Sequence, residues 1–491
     1  MVAAVDKWTT WRVLLLIALV VAAAGTTSVW LPLLSLDEQS NVVYGDLVLA
    51  GRVAHRDFFA TYGPANYWLI AGAFDLFGAS VESQRVVGLL YHLAVGVAVY
   101  LCCTQRGRGV AVAAATTAVL FLMPLGSIAY AWLAALSLVL LSMALLQRSS
   151  SPVAFGVAGA LGASCAWWRP EMVAVAGLTA IPYLVPGFRK ATSYSLGLAS
   201  ALAGMAVYSA TIGPEWLTNV WTRVGVDAGY SNVDPYVVVG GAVVVASGTA
   251  MLVCGIKRRE RTCFSIAILV AAGLPQLLQR PDLAHLVFVA CATVPLSVAH
   301  VLPAARGVIA DDARPADTSR VLRLELGAWL LGTLTFALVV GVLGVVERWR
   351  TDVVHVQVGS RSLLASADSA PRIRDTIDAL TSASAGAPVF IGAMDMSKPT
   401  LTWAMFYHLL PSSSVQAYYL EIPPGLDDVQ AARLADDVHS ADVLLLSEFS
   451  DENRELLFPN IQPIADDADV VVREEFCAGP QTGFGVVFTR C

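Results

Sequence analysis

Long apolar runs separated by short polar connections dominate the first 346 residues of the chain. A helix needs roughly 20 predominantly apolar residues to cross the hydrocarbon core of a bilayer. By that rule the pattern predicts about eleven transmembrane helices. They are expected at residues 13–34, 85–104, 109–124, 128–146, 153–168, 170–187, 191–212, 235–256, 262–278, 284–302 and 324–346.

The pattern changes after the last apolar run. Between Glu347 and Cys491, a helix-like stretch from Leu426 to His439 accompanies several short β-like runs. These runs cover residues 388–391, 442–446 and 485–488. The sequence therefore predicts an α-helical polytopic membrane module at 1–346 and a soluble α/β domain at 347–491, whose strand order the pattern does not reveal.

One connection differs from all the others in length and polarity. The first predicted span is followed by Leu36 to Trp68, LDEQSNVVYGDLVLAGRVAHRDFFATYGPANYW, which concentrates acidic, basic and aromatic residues. It belongs to a predicted first outer loop at 35–84. Such a concentration of charge in an otherwise apolar chain is the first indication of function.

Composition supports the membrane assignment and excludes one large class. The chain of 491 residues is 56% hydrophobic and only 14% charged, with a mean hydropathy of +0.65. These values are far too apolar for an ordinary soluble protein, so the lipid bilayer is the expected surrounding. The net charge of −7 argues against a nucleic-acid partner, which requires a basic footprint.

The distribution of Lys and Arg predicts the orientation of the spans. Lys7 and Arg12 precede the first span, which places the N-terminus in the cytoplasm and the first loop outside. Alternate connections then carry most of the basic residues, namely Arg106, Arg108, Arg148, Arg189, Lys190, the 257–261 cluster, Arg306, Arg314, Arg320 and Arg323. The opposite connections carry chiefly Arg52, Arg56, Arg169, Arg223 and Arg280. The C-terminal domain is accordingly expected on the extracytoplasmic side.

The cysteines give a weaker indication of the same arrangement. Six of the eight lie in or beside apolar runs, where Cys acts as a small hydrophobic residue. Cys477 and Cys491 alone fall in the outer domain, where a disulfide would close the C-terminal strand hairpin, and whether they pair stays open. The spacing contains no CxxC or Cys/His pattern, which argues against a structural zinc site.

Ionisable residues at the ends of the predicted spans collect on the extracytoplasmic face. They are Asp37, Glu38, Arg56, Asp57 and Tyr62 before the second span, Arg169 and Glu171 in WWRPE, and Arg280, Asp282 and His285 in QRPDLAH. Such residues are costly near lipid unless they are paired or functional, so the set predicts a polar cavity on that face. For any single residue the alternative is an ordinary interfacial salt bridge.

These residue types suit group transfer at a membrane surface. Asp37, just beyond the first span, is a candidate base for an acceptor hydroxyl. Cationic side chains such as Arg56, Arg169, Arg280 and His285 are candidates for binding a phosphate as negative charge grows on it. The aromatic residues Tyr62, Tyr67, Trp68, Trp167 and Trp168 are suited to stacking on a sugar, or to the more common role of interfacial anchors.

Three motifs resemble a known superfamily. Asp37-Glu38, followed by Arg56-Asp57-Phe58-Phe59 and Tyr62-Gly63-Pro64, resembles the first outer loop of the GT-C superfamily, in the branch of protein O-mannosyltransferases and the lipid A aminoarabinose transferase. Arg169-Pro170-Glu171 and the 280–286 motif RPDLAHL are similar to short motifs of bacterial members. The resemblance covers roughly residues 10 to 346.

The resemblance implies an inverting glycosyltransferase of the bacterial plasma membrane. Its donor would be a polyprenyl-phosphate-linked sugar and its acceptor an envelope glycan, lipid or protein. The catalytic role of the first-loop Asp carries over to Asp37, with Glu38 beside it, while Arg56, Asp57, Tyr62 and the later motifs would bind substrate. Some members use a divalent metal, but the first loop has no DxD triplet, so no metal ligand is assigned and a divalent metal cofactor stays open.

Other functions remain as alternatives. A transporter or flippase of lipid-linked sugars would also have many spans, but its ionisable residues should lie near the bilayer midplane on repeated halves. An envelope polysaccharide polymerase or ligase would be expected to carry its main site in a late loop. A non-enzymatic assembly protein would not need the charged cluster.

Overall fold

The structure is a computed structural model. It describes residues 10–26, 28–33, 35–185, 187–213, 216, 219, 235–310, 352–397, 402–422, 426–448 and 466–491. The span expected at 324–346 lies outside these residues, as do Lys7, Arg223, Arg314, Arg320 and Arg323.

The chain divides into two compact units, neither of which is continuous in sequence. The first comprises residues 1–28, 88–207 and 233–348, and the second comprises 29–87, 208–232 and 349–491. The second unit thus contains both the C-terminal segment and residues 36–68, which we call the polar stretch.

The described helices of the membrane portion are, in chain order, α1 (Thr10–Thr26), α2 (Leu36–Leu49), α3 (Pro64–Phe77), α4 (Val81–Cys103), α5 (Arg108–Leu122), α6 (Ala131–Arg148), α7 (Pro152–Ser164), α8 (Met172–Leu184), α9 (Phe188–Ile212), α10 (Pro235–Arg258), α11 (Arg261–Gln279) and α12 (Leu283–Ala310). Helices α2 and α3 belong to the second unit.

Seven helices in the described part of the chain are long and apolar enough to cross a membrane. They are Val81–Arg106, Arg108–Leu125, Ala131–Arg148, Phe188–Ile212, Pro235–Arg258, Arg261–Leu278 and Leu283–Val301. Three shorter apolar helices cover Thr10–Ala23, Pro152–Trp167 and Met172–Leu184. The protein is therefore a multi-pass membrane protein, as predicted, although the count of eleven spans is not confirmed.

The first predicted span is too long. Apolar residues continue to Leu34, but α1 ends at Thr26 and residues 28–33 form a non-helical connection. Backbone carbonyls in this connection accept hydrogen bonds from the Arg85 side chain. Hydropathy does not predict the end of α1, because the residues that follow the helix are as apolar as those within it.

Small residues allow the helices of the first unit to approach closely. A Cβ added at Gly159 would lie 2.0 Å from the carbonyl oxygen of Tyr194, and one at Gly197 would lie 1.8 Å from that of Gly156. Helices α7 and α9 therefore pack backbone to backbone, which is characteristic of helix pairs in membranes. A separate buried core joins α10, α11 and α12 through side chains such as Val244, Val270 and Val289.

The C-terminal segment contributes β1 (Val353–Val358), β2 (Arg361–Ser366), α13 (Ala370–Ser384), β3 (Val389–Ala393), α14 (Met405–Leu409), α15 (Asp428–His439), β4 (Val443–Ser447), α16 (Asp467–Glu475), β5 (Phe476–Thr482) and β6 (Gly485–Arg490). The predicted α/β class is confirmed, as are the three predicted strands and the helix that ends at His439.

Two sheets organise this segment. Strands β1 and β2 form an antiparallel hairpin, while the larger sheet has the order β3-β4-β6-β5. Its β3 and β4 run parallel and every residue in both is buried, as expected for parallel strands covered on both faces. Strands β4, β6 and β5 pair antiparallel.

A disulfide closes the β5–β6 hairpin. Cys477 and Cys491 are bonded, with their Cα atoms 5.2 Å apart and a sequence separation of 14. The pairing that the sequence left open is therefore present.

Hydrogen bonds join the two ends of the chain within the second unit. Asp46 of α2 and His408 of α14 are both buried, with Oδ2 and Nδ1 2.5 Å apart. The backbone N–H of Phe59 donates to the carbonyl of Tyr418 at 2.7 Å, and Arg52 donates to that of Val415 at 2.5 Å. These long-range contacts explain why residues 29–87 and 349–491 form one unit.

Candidate functional site

The predicted site residues fall into two clusters. Asp37, Glu38, Arg56, Asp57 and Tyr62 lie in the second unit, and Arg169, Glu171, Arg280, Asp282 and His285 lie in the first. Each cluster has its own geometry.

Asp37 lies in the first turn of α2. The helix begins after Ser35, whose hydroxyl oxygen accepts a hydrogen bond from the backbone N–H of Glu38 at 3.2 Å. Asp37 is half-buried, so its carboxylate keeps some access to the surroundings. A carboxylate at the N-terminal end of a helix interacts favourably with the helix dipole.

Glu38 has a different environment from its neighbour. Its side chain is fully buried and forms an ion pair with the fully buried Arg85, with Nε 2.7 Å from Oε1 and Nη2 3.0 Å from Oε2. Such a bidentate pair satisfies both carboxylate oxygens. Glu38 thus faces a structural partner, which argues for a positioning role.

Arg85 also secures the connection that leads from α1 to α2. Its Nη1 donates to the carbonyls of Val29 and Leu31 at 2.8 and 2.5 Å, and its Nη2 donates to that of Pro32 at 2.9 Å. One guanidinium therefore fixes the chain before Asp37 and the residue after it. The sequence analysis did not single out Arg85, although a charge at the start of a predicted apolar span is a recognisable signal.

Arg56 and Asp57 pair with each other. Arg56 Nε lies 2.8 Å from Asp57 Oδ1, and Asp57 Oδ2 accepts from the backbone N–H of Val53 at 2.7 Å. The hydrogen bond from Arg56 holds the pKa of the Asp57 carboxyl below its usual value. Because the Arg56 side chain is 53% exposed, the outer edge of this guanidinium is accessible to an anion.

Tyr62 contacts its neighbours through backbone hydrogen bonds. Its carbonyl contacts Nε2 of His55 at 3.0 Å, and its N–H donates to the hydroxyl of Tyr67 at 3.0 Å. His55 is fully buried and adopts a φ of 69°, a left-handed conformation that is uncommon outside glycine. Burial lowers the pKa of His55 to about 4. Within the described residues, its Nδ1 is buried without a hydrogen-bond partner.

The aromatic candidates divide by exposure. Tyr67 is buried, whereas Trp68 is 42% exposed and meets Tyr208 edge to face at 5.6 Å between ring centroids. In the first unit, the indole N–H of Trp168 donates to the hydroxyl of Tyr91 at 3.0 Å. Trp68 is therefore more accessible than Tyr67.

In the first unit, Arg169 and Glu171 precede α8 and form an ion pair. The Arg169 guanidinium also lies over the ring of Trp132 on α6, 5.3 Å from its centroid. This cation–π contact holds the guanidinium near the start of α8.

Asp282 and His285 form a second pair, at the start of α12. Asp282 Oδ1 accepts from the backbone N–H of His285 at 2.9 Å and lies 2.8 Å from its Nδ1. Burial acts to raise the pKa of Asp282, but hydrogen bonding and charge from His285 outweigh it, so that the pKa is lowered. Asp282 thereby orients the imidazole of His285.

Phe288 links these two pairs. Its ring lies 6.1 Å from that of Trp132 and 5.7 Å from that of His285, measured between centroids. The Trp132 indole N–H also donates to the Phe288 carbonyl at 3.3 Å. The structure therefore brings the RPE and RPDLAH motifs into contact with one aromatic group. Arg280, at the end of α11, is half-buried.

In the described part of the chain, the potential metal ligands that lie close together are Cys254, Glu260 and Cys263. Glu260 forms an ion pair with Arg106. These residues are distinct from the predicted site residues, so no metal is assigned to either cluster.

Neither a protein-family model nor a curated protein matches the sequence. Three solved structures resemble the fold. ArnT from Cupriavidus metallidurans in the apo state gives a TM-score of 0.55 at 13% identity over 97% of both chains. The same protein bound to undecaprenyl phosphate gives 0.52 at 13% identity over 98% of both chains.

The third structure is an oligosaccharyltransferase from Archaeoglobus fulgidus tethered with an acceptor peptide, with a TM-score of 0.50 at 11% identity, covering 97% of this chain and 73% of that one. ArnT and the oligosaccharyltransferase are both GT-C glycosyltransferases. The fold expected from the sequence motifs is thus confirmed: this chain has the fold of ArnT over nearly its whole length.

Proposed function

We propose that the protein is a membrane glycosyltransferase that moves a sugar from a polyprenyl-phosphate-linked donor to a cell-envelope glycan, lipid or protein. The observation that carries this proposal is the placement of Asp37, a half-buried carboxylate at a helix N-terminus that the Glu38–Arg85 pair holds in position. The GT-C fold and an ArnT structure that contains undecaprenyl phosphate support the donor class.

In the proposed reaction Asp37 is the general base. Its carboxylate accepts the proton of the acceptor hydroxyl while the acceptor oxygen forms a bond to the anomeric carbon of the sugar. The bond from that carbon to the phosphate oxygen breaks, and the polyprenyl phosphate leaves with the electron pair. Attack opposite the leaving group inverts the anomeric centre. Glu38 positions Asp37 through Arg85.

The cationic residues are proposed to bind the donor phosphate. Arg169, supported by Glu171 and Trp132, and His285, oriented by Asp282, present nitrogen donors near a shared aromatic group. Fixed donors of this kind stabilise the charge that develops on a leaving phosphate. Arg280 is proposed to add positive charge to this cluster, and Arg56, Asp57 and Tyr62 to contact substrate from the polar stretch.

We further propose that the polar stretch and the C-terminal domain lie on the extracytoplasmic side of a bacterial plasma membrane, with the N-terminus in the cytoplasm. The bias of Lys and Arg toward alternate connections supports this orientation. The Cys477–Cys491 disulfide also supports it, because disulfides persist in oxidising compartments.

Sugar transfer from a polyprenyl-phosphate donor pool, measured in membranes that contain the full-length protein, tests the function. Asp37→Asn should lower the rate by a factor of about 100 to 10,000, as expected for loss of a general base. The matched control is Asp75→Asn, which removes an exposed carboxylate from α3 of the same unit and should leave the rate unchanged.

The donor pool is identified by comparing the lipid-linked sugars and envelope glycans of wild-type and deletion strains by mass spectrometry. Loss of one glycan modification, with accumulation of its lipid-linked sugar, is the expected result. Full activity of Asp37→Asn at wild-type abundance would contradict the assignment of the base. An unchanged glycan profile would contradict the function itself.

A further inference from the structure

A concave basic pocket of about 740 Å³ lies at one end of the helices of the first unit. We call it the basic pocket. Its lining includes Arg148, Lys190, Arg258, Arg259, Glu260 and Arg261. None of the residues in the two clusters described above contributes to it.

The basic pocket is built by three separate connections. Arg148 ends α6, and Lys190 lies in the first turn of α9. Residues 258–262 cover the last residue of α10, the turn after it and the start of α11. Helix α8 separates the basic pocket from the Arg169–Glu171 pair. Glu171 precedes the first residue of this helix, and Tyr183, which lines the pocket, is near its last. At 1.5 Å per residue, these two positions are roughly 18 Å apart along the helix.

Five cations and one carboxylate line the basic pocket. The carboxylate, Glu260, is already engaged by Arg106, a residue outside the lining. In the part of the chain that the structure describes, no ion pair joins a carboxylate to any of the five cations, which are Arg148, Lys190, Arg258, Arg259 and Arg261. Among the described residues, the lining therefore carries an excess of positive charge.

Arg259 has an unusual backbone conformation. Arg259 adopts a φ of 53°, in the left-handed region, directly after the end of α10. Glycine is the usual residue there, because a side chain makes this conformation less favourable. The chain nevertheless places an Arg at the turn, where it adds a cation to the lining.

Membrane orientation alone does not account for this arrangement. The preference for Lys and Arg at cytoplasmic helix ends requires basic residues in the connections, but not their convergence around a cavity. Here, side chains from three connections surround a volume far larger than one water molecule, with the hydroxyl residues Ser149, Ser150 and Thr262 among them.

We propose that the basic pocket binds an anion with closely spaced phosphate groups, such as the head group of an acidic phospholipid. Arg guanidinium groups match phosphate oxygens with paired hydrogen bonds, and basic pockets between transmembrane helices are typical sites for acidic lipid head groups. A soluble diphosphate presents the same chemistry. The proposal does not depend on the glycosyltransferase function.

Lipid binding is measured on the full-length protein in phosphatidylcholine nanodiscs, with cardiolipin as the probe. The variant Arg258→Gln/Arg261→Gln should weaken cardiolipin binding by about 30-fold, the effect of two lost contacts with an anionic head group. The matched control, Arg189→Gln/Lys257→Gln, removes two exposed cations that neighbour the lining but do not belong to it, and should bind nearly as wild type.

A second arm titrates inorganic diphosphate into the detergent-solubilised protein and follows thermal unfolding. Stabilisation by diphosphate that the pocket variant lacks, without selective cardiolipin binding, would assign the pocket to a soluble anion. Selective cardiolipin binding would assign it to lipid. Arg148→Gln/Lys190→Gln alters the same pocket from other helices and replaces the first variant if that one fails to fold.

Equal weakening of cardiolipin binding in the pocket and control variants would overturn the proposal, because general surface attraction predicts that result. Absence of binding by both probes to the wild-type protein would also overturn it.

Discussion

Arg85 and Glu38 form an ion pair in which both side chains are completely excluded from solvent, with Nε and Oε1 2.7 Å apart. The pair joins the first turn of α2 to the N-terminal part of α4. Arg85 also donates hydrogen bonds to three backbone carbonyls in the connection after α1. Asp37, the proposed base, is adjacent to Glu38. The geometry at Asp37 therefore depends on a contact between residues 47 positions apart.

Removing one member of this pair should be strongly destabilising. Arg85→Met leaves the Glu38 carboxylate buried without its cation, and breaking a buried pair in this way costs about 3–5 kcal/mol. The expected result is a large loss of folded protein in detergent, measured by thermal unfolding and by hydrogen exchange across residues 28–50.

The double variant Glu38→Leu/Arg85→Met separates the charge effect from the carbonyl contacts. It should recover part of the stability, because no charge remains buried. Recovery should be incomplete, since the carbonyls of Val29, Leu31 and Pro32 lose a donor at about 1–3 kcal/mol for each buried group left unsatisfied. If Arg85→Met were as stable as the wild type, the stabilising role of the Glu38–Arg85 ion pair would be contradicted.

His55 should make the second unit sensitive to acid. Burial lowers its pKa from 6.5 to about 4, so the unfolded chain binds a proton between these values while the folded chain does not. The resulting contribution of His55 to the free energy of unfolding is about 3 kcal/mol. It is fully present above pH 6.5 and is lost as the pH falls toward 4. Hydrogen exchange at residues 53–62, measured at several pH values, should show this loosening.

His55→Asn provides the test of that assignment. Asn tolerates a positive φ and does not titrate, so the pH dependence should flatten. His355→Gln is the control, because His355 belongs to the same unit and its side chain is 55% exposed. A pH dependence that persists in His55→Asn would show that another group is responsible.

Asp282 should act through His285 as a positioning residue. Asn at position 282 can still accept the backbone N–H of His285, but it no longer supplies a charged acceptor to the ring. Asp282→Asn should lower kcat/KM for the polyprenyl-phosphate donor by about tenfold, the usual scale for a residue that orients a functional imidazole. Steady-state kinetics in membranes provides the measurement.

The readout that separates positioning from a general structural effect is a double-mutant cycle. In a His285→Gln background, Asp282→Asn should have almost no further effect, because the interaction is already absent. Additive losses, accompanied by lower protein abundance, would instead indicate that Asp282 stabilises the fold independently of His285.

The Cys477–Cys491 disulfide should stabilise the C-terminal hairpin. Closing a loop of 14 residues contributes about 3 kcal/mol, so Cys477→Ser/Cys491→Ser should increase hydrogen exchange in β5 and β6. A reductant should reproduce this effect in the wild-type protein and leave the variant unchanged. Thiol labelling of intact cells should find both cysteines oxidised, whereas free thiols there would contradict the proposed extracytoplasmic location.

Much of the fold follows from local patterns. The predicted spans at 235–256 and 262–278 correspond closely to α10 and α11, and the runs at 388–391 and 442–446 correspond to β3 and β4. These elements are recognisable because their burial is decided by side chains that are neighbours in the sequence. The end of α1 was not recognisable, since Arg85, which holds the following connection, is more than fifty residues away.

The sequence identified candidate site residues by their type but did not reveal their pairings. Asp37, Arg169 and His285 stand out in sequence because they are ionisable residues beside apolar runs. Trp132 and Phe288, which contact Arg169 and His285, do not stand out, because apolar aromatic residues are common within membrane helices. His55 also escaped notice, since neither its burial nor its backbone conformation can be read from composition.

The sequence by itself determined that the chain is a multi-pass membrane protein with an α/β C-terminal domain and a charged stretch after its first apolar run. Only the tertiary structure decided how the charges are used: Glu38 is enclosed with Arg85, while Asp37 remains half-buried. Similarly, only folding unites α2 with a C-terminal helix through Asp46 and His408, 362 positions apart. The physical reason is that membrane insertion follows from local hydrophobicity, whereas the environment of a charged group depends on long-range contacts that replace its water.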